Sequence, residues 1–592
     1  MMKIYKTIII GSGAAAYGAA DSLYREGVTD IAVICENRLS GTSRNTGSDK
    51  QTYYKISMDG FTADSPYKMA TDMFSGGSCD GEKMYLEALH SQKSFLRLCD
   101  YGVPFPTDSY GGYPGYKTDH DDTVRATSVG PLTSKAMTEK LEGVVLEKNK
   151  TPLFDGKQVI KILTDGKKAY GVKVLDLESQ KEEYIYAENV ICATGAPACI
   201  YEDSVYPESQ HGMTGVLIEA GVRMCNFTQW QYGMASVDFR WNVSGSFMQV
   251  IPRFVSIDEE GNEREFLSDY FDDINEAYSF VFLKGYQWPF SYTRAGESSL
   301  VDLAVHSETS KGRRVYLDYR KNPKGFDFEK LSDEAKEYII ATECMADTPI
   351  ERLEKLNSKA IDVYLRQGID LHTDMLRIAV CAQHNNGGVY TDNHFESDIK
   401  GLYVIGEAAG SFGLTRPGGS ALNDTQVGGL VAAKHIAAKK NETFTVPDLE
   451  EKDEPFTSDD NVSYSRYRTK MSGAASFRRD YEACAELLEE IKQVLKDLPK
   501  KHRSLSEYYR DKDMLISMKA LLEAIVSECP ETGSRGGAIF IEGGKIKEEN
   551  TYYRDYLTLT KNGTAEYKRV STVPYGQKPF EYYLSKIDEN KI

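Results

Sequence analysis

The chain has 592 residues, more than one ordinary hydrophobic core organises, and its length alone calls for roughly three or four domains. Hydrophobic residues at 41% and charged residues at 27% describe a globular protein that folds in water, and no apolar run reaches the roughly 18 residues a bilayer requires. A formal net charge of -18 argues against nucleic acid as a partner, because phosphate backbones are held by clustered Lys and Arg.

Residues 7–10 read as an apolar strand that must reverse within a few residues and open into an Ala-rich helix. Gly11 supplies the tight turn, and Gly13 lets the backbone approach a pyrophosphate on the helix N-terminus. Ala16 fills a third position, where a larger side chain would push the helix off the sheet. A second apolar strand, residues 31–35, ends at Glu36, about 20 residues past the glycines, where a carboxylate accepts hydrogen bonds from ribose hydroxyls. This is the pattern of a dinucleotide-binding βαβ unit, and the glycines alone leave NAD and FAD both open. With the first strand beginning almost at Met1 there is no room for a signal peptide, so a cytoplasmic protein is expected.

Residues 101–123, rich in Gly, Tyr and Asp, read as loop. Residues 190–195 form another apolar strand, ending at Thr194 and Gly195 in the kind of small-residue turn that closes over an adenine end. From about residue 231 the character changes, with Trp230, Trp241, Phe247 and Phe254 among strands and turns and a helical run at 329–340. Residues 401–408 read as a short strand ending in Gly406 and Glu407, an acid suited to lie beside the ribityl chain of a flavin. Ser420, Ala421 and Leu422 open a helix whose N-terminal donors suit the electron-rich edge of a bound cofactor, and the helix runs on through 428–439. A linker rich in Lys, Glu, Asp and Pro covers 447–461; amphipathic helical patterns follow at 478–498 and 512–528, and residues 552–583 alternate like strand. The ten cysteines contain no Cys-x-x-Cys pair, so no metal site is expected and they read as reduced, buried small hydrophobes.

The fingerprint at residues 8–18 and the run at 407–424 together resemble the fumarate reductase/succinate dehydrogenase flavoprotein family, which includes L-aspartate oxidase. The resemblance covers most of residues 5–440 and returns weakly at Ser534-Arg535-Gly536. It implies an α/β fold in which a Rossmann-like FAD-binding domain (1–230 and 365–445) is interrupted by an inserted α+β capping domain (231–364). A C-terminal helical domain and tail (446–592) follow. It also implies an FAD-dependent oxidoreductase in which hydride passes between flavin N5 and a carbon next to a carboxylate, while an arginine moves a proton at the neighbouring carbon.

The resemblance implies three catalytic side chains. Tyr292-Thr293-Arg294-Ala295 stands upstream of residues 312–318 as the family's proton-transferring Thr-Arg stands upstream of its Gly-Arg-x-x-x-Leu-Asp, so Arg294 is the expected acid. The stretch from Gln383 through His384 to Gly387-Gly388-Val389 is similar to the family's His-x-x-Gly-Gly, which makes His384 a carboxylate donor. Thr415-Arg416-Pro417-Gly418-Gly419 is similar to Asn-Arg-Leu-Gly-Gly, which makes Arg416 the clamp, since a planar guanidinium grips a carboxylate bidentately.

The departures matter as much. Gln231 stands where the family carries the His of Gln-x-His-Pro-Thr that holds a second carboxylate, and no Thr-Glu follows, residues 246–250 being aromatic and neutral. One substrate end is then clamped and the other is neutral, with Gln231, Tyr232, Trp230, Trp241 and Phe247 as its expected wall; fumarate and succinate fit this poorly. Arg253 is the nearby cation that would restore a charge. The loop 40–47, which carries Thr42 and Ser43, has no His where membrane-bound members bond the flavin covalently, so non-covalent FAD is expected. No haem-attachment motif, cluster-binding cysteine set or second nucleotide fold is visible, so electrons are expected to pass to or from an external carrier, from an iron–sulfur partner subunit or, as the resemblance to L-aspartate oxidase implies, to oxygen or fumarate. The expected reaction is reduction of an α,β-unsaturated carboxylate or enone. The alternatives are a dehydrogenase or oxidase running in reverse on a small-molecule substrate such as an amino acid, and an electron-relaying flavoprotein subunit.

Overall fold

A computed structural model describes residues 3–118, 120–439, 443–447, 463–498 and 504–574. Its first layer is a seven-stranded sheet built around Ile4–Ile10, which runs parallel between Ile31–Ile34 and Glu182–Cys192. Residues 7–10, Ile31–Ile34 and the last four residues of Glu182–Cys192 are buried on both faces, which is why they read as apolar runs and not as alternating ones. The long strand Glu182–Cys192 spends its first half antiparallel to Ala169–Asp176 and its last residues parallel to Leu402–Val404. The chain thus returns to the same sheet after an insertion of about two hundred residues, and the two flavin motifs meet there.

Helix Ala14–Arg25 packs on helix Ser420–Ala438 through small residues: a Cβ on Gly429 would lie 2.9 Å from the backbone of Ala19. Close approach of the two helices brings both of their N-termini to one edge of the sheet, where oriented N–H groups favour negative charge.

A second, six-stranded antiparallel sheet runs in the order Trp241–Asn242, Trp230–Ser236, Leu376–Asn385, Arg314–Asp318, Arg253–Ile257, Glu263–Glu265. The strand that carries His384, assigned by sequence to the flavin-binding half, is hydrogen-bonded into this sheet. Helices Ile274–Leu283, Leu300–Ser310, Asp333–Ala341 and Pro349–Leu365 belong to the same insertion. Asp49, in the flavin-side loop, fastens it: its carboxylate accepts from Ser246 N at 2.8 Å, from Ser246 Oγ at 2.5 Å and from Asn357 Nδ2.

The C-terminal region contributes helices Ser465–Ala474, Tyr481–Asp497 and Leu505–Thr532. It also adds a hairpin, Tyr556–Lys561 with Thr564–Arg569, whose first strand pairs antiparallel with Met224–Cys225. Of the strand-like alternation expected at 552–583, residues 556–569 form this hairpin, 552–555 lie in a short 3₁₀ turn and 570–574 are not strand; residues 575–583 and residues 448–461 of the linker lie outside the described residues. Among the described residues, no helix is long and apolar enough to cross a membrane.

Candidate active site

Gly11 adopts φ +124°, and a Cβ there would strike the carbonyl oxygen of Ala193, so only glycine makes this turn. Gly13 is the N-cap of helix Ala14–Arg25 and has no side chain to cap it; Ser43 Oγ accepts from Ala14 N at 3.2 Å. Above this turn lies a cavity of about 650 Å³. Gly11, Gly13, Glu36, Thr42, Ser43, Thr194, Gly195, Glu407, Ala421 and Leu422, all expected from sequence to bind the cofactor, line it. Three others do not. Ala16 is fully buried between helix and sheet, Gly406 packs against Ala15, and Ser420 Oγ is spent on the carbonyl of Pro417 at 2.7 Å.

The cavity wall carries unspent hydrogen-bonding groups, as a dinucleotide site must. Thr194 Oγ1 is buried with no partner among the described residues. Glu407, beside the cavity, accepts from Asn385 N at 2.8 Å and from the Tyr206 hydroxyl. Burial pushes its carboxyl up to about 7, against the hydrogen bonds from Tyr206 and Asn385 and the charge of Arg416. Gln210, which carried no motif, braces the turn: its Nε2 donates to Thr194 O at 2.7 Å and its Oε1 accepts from Thr42 at 2.5 Å. Two glycine-framed helix N-termini, the Glu36 carboxylate on the wall and the unpartnered Thr194 hydroxyl fit FAD.

A family comparison agrees. The family model described as FAD binding domain matches residues 6–422. The chain belongs to that FAD-binding family. It is an FAD-dependent oxidoreductase, and FAD is its cofactor. Over 448 residues it is 24% identical to one subunit of the fumarate reductase (CoM/CoB) of Methanothermobacter marburgensis, covering 73% of this chain and 72% of that one. L-aspartate oxidase of Yersinia pestis is 22% identical over 550 residues, 88% of this chain and 92% of its own. The fold is that of a quinol-fumarate reductase flavoprotein, with a TM-score of 0.74 at 16% identity over 98% of this chain and 100% of the other.

In this flavoenzyme a second cavity, about 620 Å³, adjoins the first along Ser48, Gln51, Asn242, Trp288, Ala421 and Leu422. Arg416 lines it, and His384 lines the flavin cavity beside it. Gly419, at φ +89° and closely covered by Thr52, turns the chain so that Arg416 precedes the helix N-terminus at the junction. Arg416 Nε lies 3.4 Å from His384 Nδ1, and its Nη1 is 3.4 Å from Ser420 Oγ. Burial drives the His384 imidazole well below its ordinary pKa, and the Arg416 charge adds to the effect, so the ring is neutral.

The register of the second sheet explains how His384 gets there. Gln231 pairs with His384 and Tyr232 with Ala382, so Gln383 is bulged out, and both Gln383 and His384 reach the flavin cavity.

The expected neutral wall needs correction. Tyr232 points away from both cavities: its ring is fully buried against Tyr201 and Phe477, and its hydroxyl meets that of Tyr201 at 2.9 Å. Strand alternation sends it to the face that the C-terminal region covers. Trp230 packs edge-on to Tyr201, Trp241 stacks on Phe239 and Phe247 meets Tyr364, all as core. Gln231 lines neither cavity; Gly537 of the C-terminal region lies over it, 3.7 Å from its Cα by a Cβ built there. Arg253 restores no charge, because Asp318 and Glu265, both at 2.7 Å, and Glu263 surround it. The second cavity is instead walled by Trp288, Tyr286, Tyr338 and Tyr116, with the polar groups of Asn242 and Gln249 and the charged groups of Lys50, Lys117, Asp122 and Glu334 among them.

Arg294 ends the short turn Tyr292–Arg294 and lines neither cavity. Its Nη1 is buried with no partner among the described residues. It stands near enough to Tyr286, a wall residue, for its charge to act on that phenol, which burial and a hydrogen bond to Glu334 hold protonated.

Proposed function

We propose that this chain transfers hydride between its flavin and the C=C bond of an α,β-unsaturated carboxylate or enone, working in the reductive direction on a substrate other than fumarate. Bound FAD supplies the two-electron chemistry. Arg416 grips the substrate carboxylate with its fork, and the neutral His384 adds a hydrogen bond where negative charge gathers during reaction. Arg294, from the insertion, supplies the proton at the neighbouring carbon.

The observation that carries this reading is the pair Arg416 and His384 at the junction of two cavities, of which the second is aromatic and offers far more room than a four-carbon diacid needs. Asn242 and Gln249 in the second cavity and Gln383 in the first provide hydrogen bonds; besides Arg416, the cations on the second cavity's wall are the exposed ammoniums of Lys50 and Lys117, and among the described residues it carries no second guanidinium. The test is to photoreduce the protein without oxygen and add enoates of different size. Reoxidation by monocarboxylic enoates, and not by fumarate, supports the reading; a flavin that stays bleached with every enoate ends it.

The similarity to L-aspartate oxidase along most of both chains favours one second reading, removal of hydride from a saturated amino acid. Asp122 on the second cavity wall is a carboxylate suited to an ammonium group. In either direction electrons pass through an external carrier or an iron–sulfur partner subunit, in keeping with the relative named as one subunit of a fumarate reductase.

A further inference from the structure

The matched FAD-binding segment ends at residue 422, yet the adenosine end of the flavin cavity is closed by a residue far beyond it. Arg510 projects from helix Leu505–Thr532, lines the cavity and reaches Glu36, Nη2 to Oε2 at 2.7 Å. Its Nε is buried with no partner among the described residues, so the guanidinium keeps hydrogen-bonding capacity in hand.

The helix that carries it is held to the nucleotide fold from several sides. Ser506 Oγ donates to Gln158 at 2.9 Å, Tyr509 to Glu182 at 2.6 Å, and Asp513 accepts from Val216 N at 3.1 Å. Asp511 accepts from Tyr464 N at 2.9 Å, and the Tyr464 hydroxyl meets His211 Nε2, on the same cavity wall, at 3.2 Å. Lys157, the other cation there, is already committed to Asp176 and Glu183.

We propose that the C-terminal helix completes the adenosine-diphosphate subsite of the FAD site. Arg510 is its positioning residue, holding Glu36 where the ribose hydroxyls donate and offsetting the repulsion between that carboxylate and the pyrophosphate. A guanidinium suits this task because it is charged at every working pH and bonds in a fixed fork. The ion pair is about one-third exposed and adds little to fold stability, so its loss registers on the cofactor and not on the fold.

The test separates the two halves of FAD. Dilution of the holoenzyme follows FAD release by its fluorescence gain; the flavin-free full-length chain is then titrated with FMN and with ADP. Arg510→Ala is expected to release FAD about tenfold faster and to bind ADP about tenfold more weakly, while FMN binds as before. Arg510→Lys recovers only part of the loss. In a Glu36→Gln background, Arg510→Ala is expected to add little. Unchanged FAD release, equal weakening of FMN and ADP, or a full additional loss in the Glu36→Gln background each overturns the proposal.

Discussion

Arg416 Nε lies 3.4 Å from His384 Nδ1, and the imidazole beside that guanidinium is uncharged. The junction of the two cavities therefore presents one fixed cation and one neutral hydrogen-bonding ring. Arg416 has Phe412 beneath it, 5.6 Å from guanidinium carbon to ring centre, which fixes the plane of the fork.

Replacing Arg416 by Lys keeps charge but loses the fork, so substrate KM is expected to rise about tenfold or more while the flavin spectrum stays the same. His384→Gln, which keeps a neutral donor, is expected to retain far more activity than His384→Ala. Because burial keeps His384 neutral, kcat/KM is expected to show no histidine limb between about pH 5.5 and 8. Steady-state kinetics of the three variants across pH checks all of this.

Glu407 offers a test by stability. Its folded pKa, about 7, lies above the ordinary carboxylate value, so the protonated form is the one the fold favours. Its contribution is fully present below about pH 4.5 and is lost as pH rises through about 7. Glu407→Gln in the flavin-free chain is thus expected to raise stability at pH 8 by roughly 1–3 kcal/mol and to change it little at pH 5. Thermal midpoints at the two pH values decide it; equal shifts at both would remove the argument.

The loop from Ser40 to Gly47 carries no His, and apart from Gly41 and Gly47 the residues it sends to the cavity, Ser40, Thr42, Ser43 and Thr46, are hydroxyls. Acid precipitation is therefore expected to leave all yellow colour in the supernatant, and a denaturing gel to show no fluorescent band. A coloured pellet would mean that another residue bonds the flavin.

What the sequence made legible was local. Gly11, Gly13 and the Gly418-Gly419 pair announce backbone turns, and a turn next to an apolar strand or helix carries its own geometry, so most of the cofactor residues around them, though not Ala16 or Ser420, fell on the cavity wall. The neutral wall of the substrate side was not legible, because it depends on which face of strand Trp230–Ser236 is covered. That is decided by Phe477 and Gly537, more than two hundred residues away. The bulge at Gln383 left no trace in residue types. A signal for the true wall did exist: Gly285-Tyr286-Gln287-Trp288-Pro289 is an aromatic stretch that cannot continue a helix into its proline, and such a segment between helices reads as a binding loop. Arg510 and Gln210 had no motif at all, since a single polar residue acquires its role only from the fold around it.

The aromatic chamber is expected to set substrate size. Trp288→Ala removes ring contacts from the wall shared by both cavities, so enoates with bulky tails lose affinity by about tenfold or more, while a short enoate such as crotonate is affected much less. Rates of reoxidation of the photoreduced enzyme by the two substrate sizes give the ratio directly. A uniform loss for both sizes would place Trp288 in support of the flavin alone.

Arg294 is the sharpest remaining test, because it combines an unspent buried Nη1 with a place just outside the cavity walls. As the proton donor, its replacement by Ala is expected to lower turnover by about 10²- to 10⁴-fold while FAD content and absorbance remain those of the wild type. Tyr286→Phe separates this from a relay through the wall phenol: if Arg294 acts directly, the phenylalanine variant keeps most of its turnover. If instead Tyr286→Phe is as damaging as Arg294→Ala, the proton leaves from the tyrosine, which Glu334 on the exposed side recharges from solvent. Turnover unaffected by Arg294→Ala would remove this arginine from the mechanism and leave Arg416 as the one guanidinium at the reacting bond.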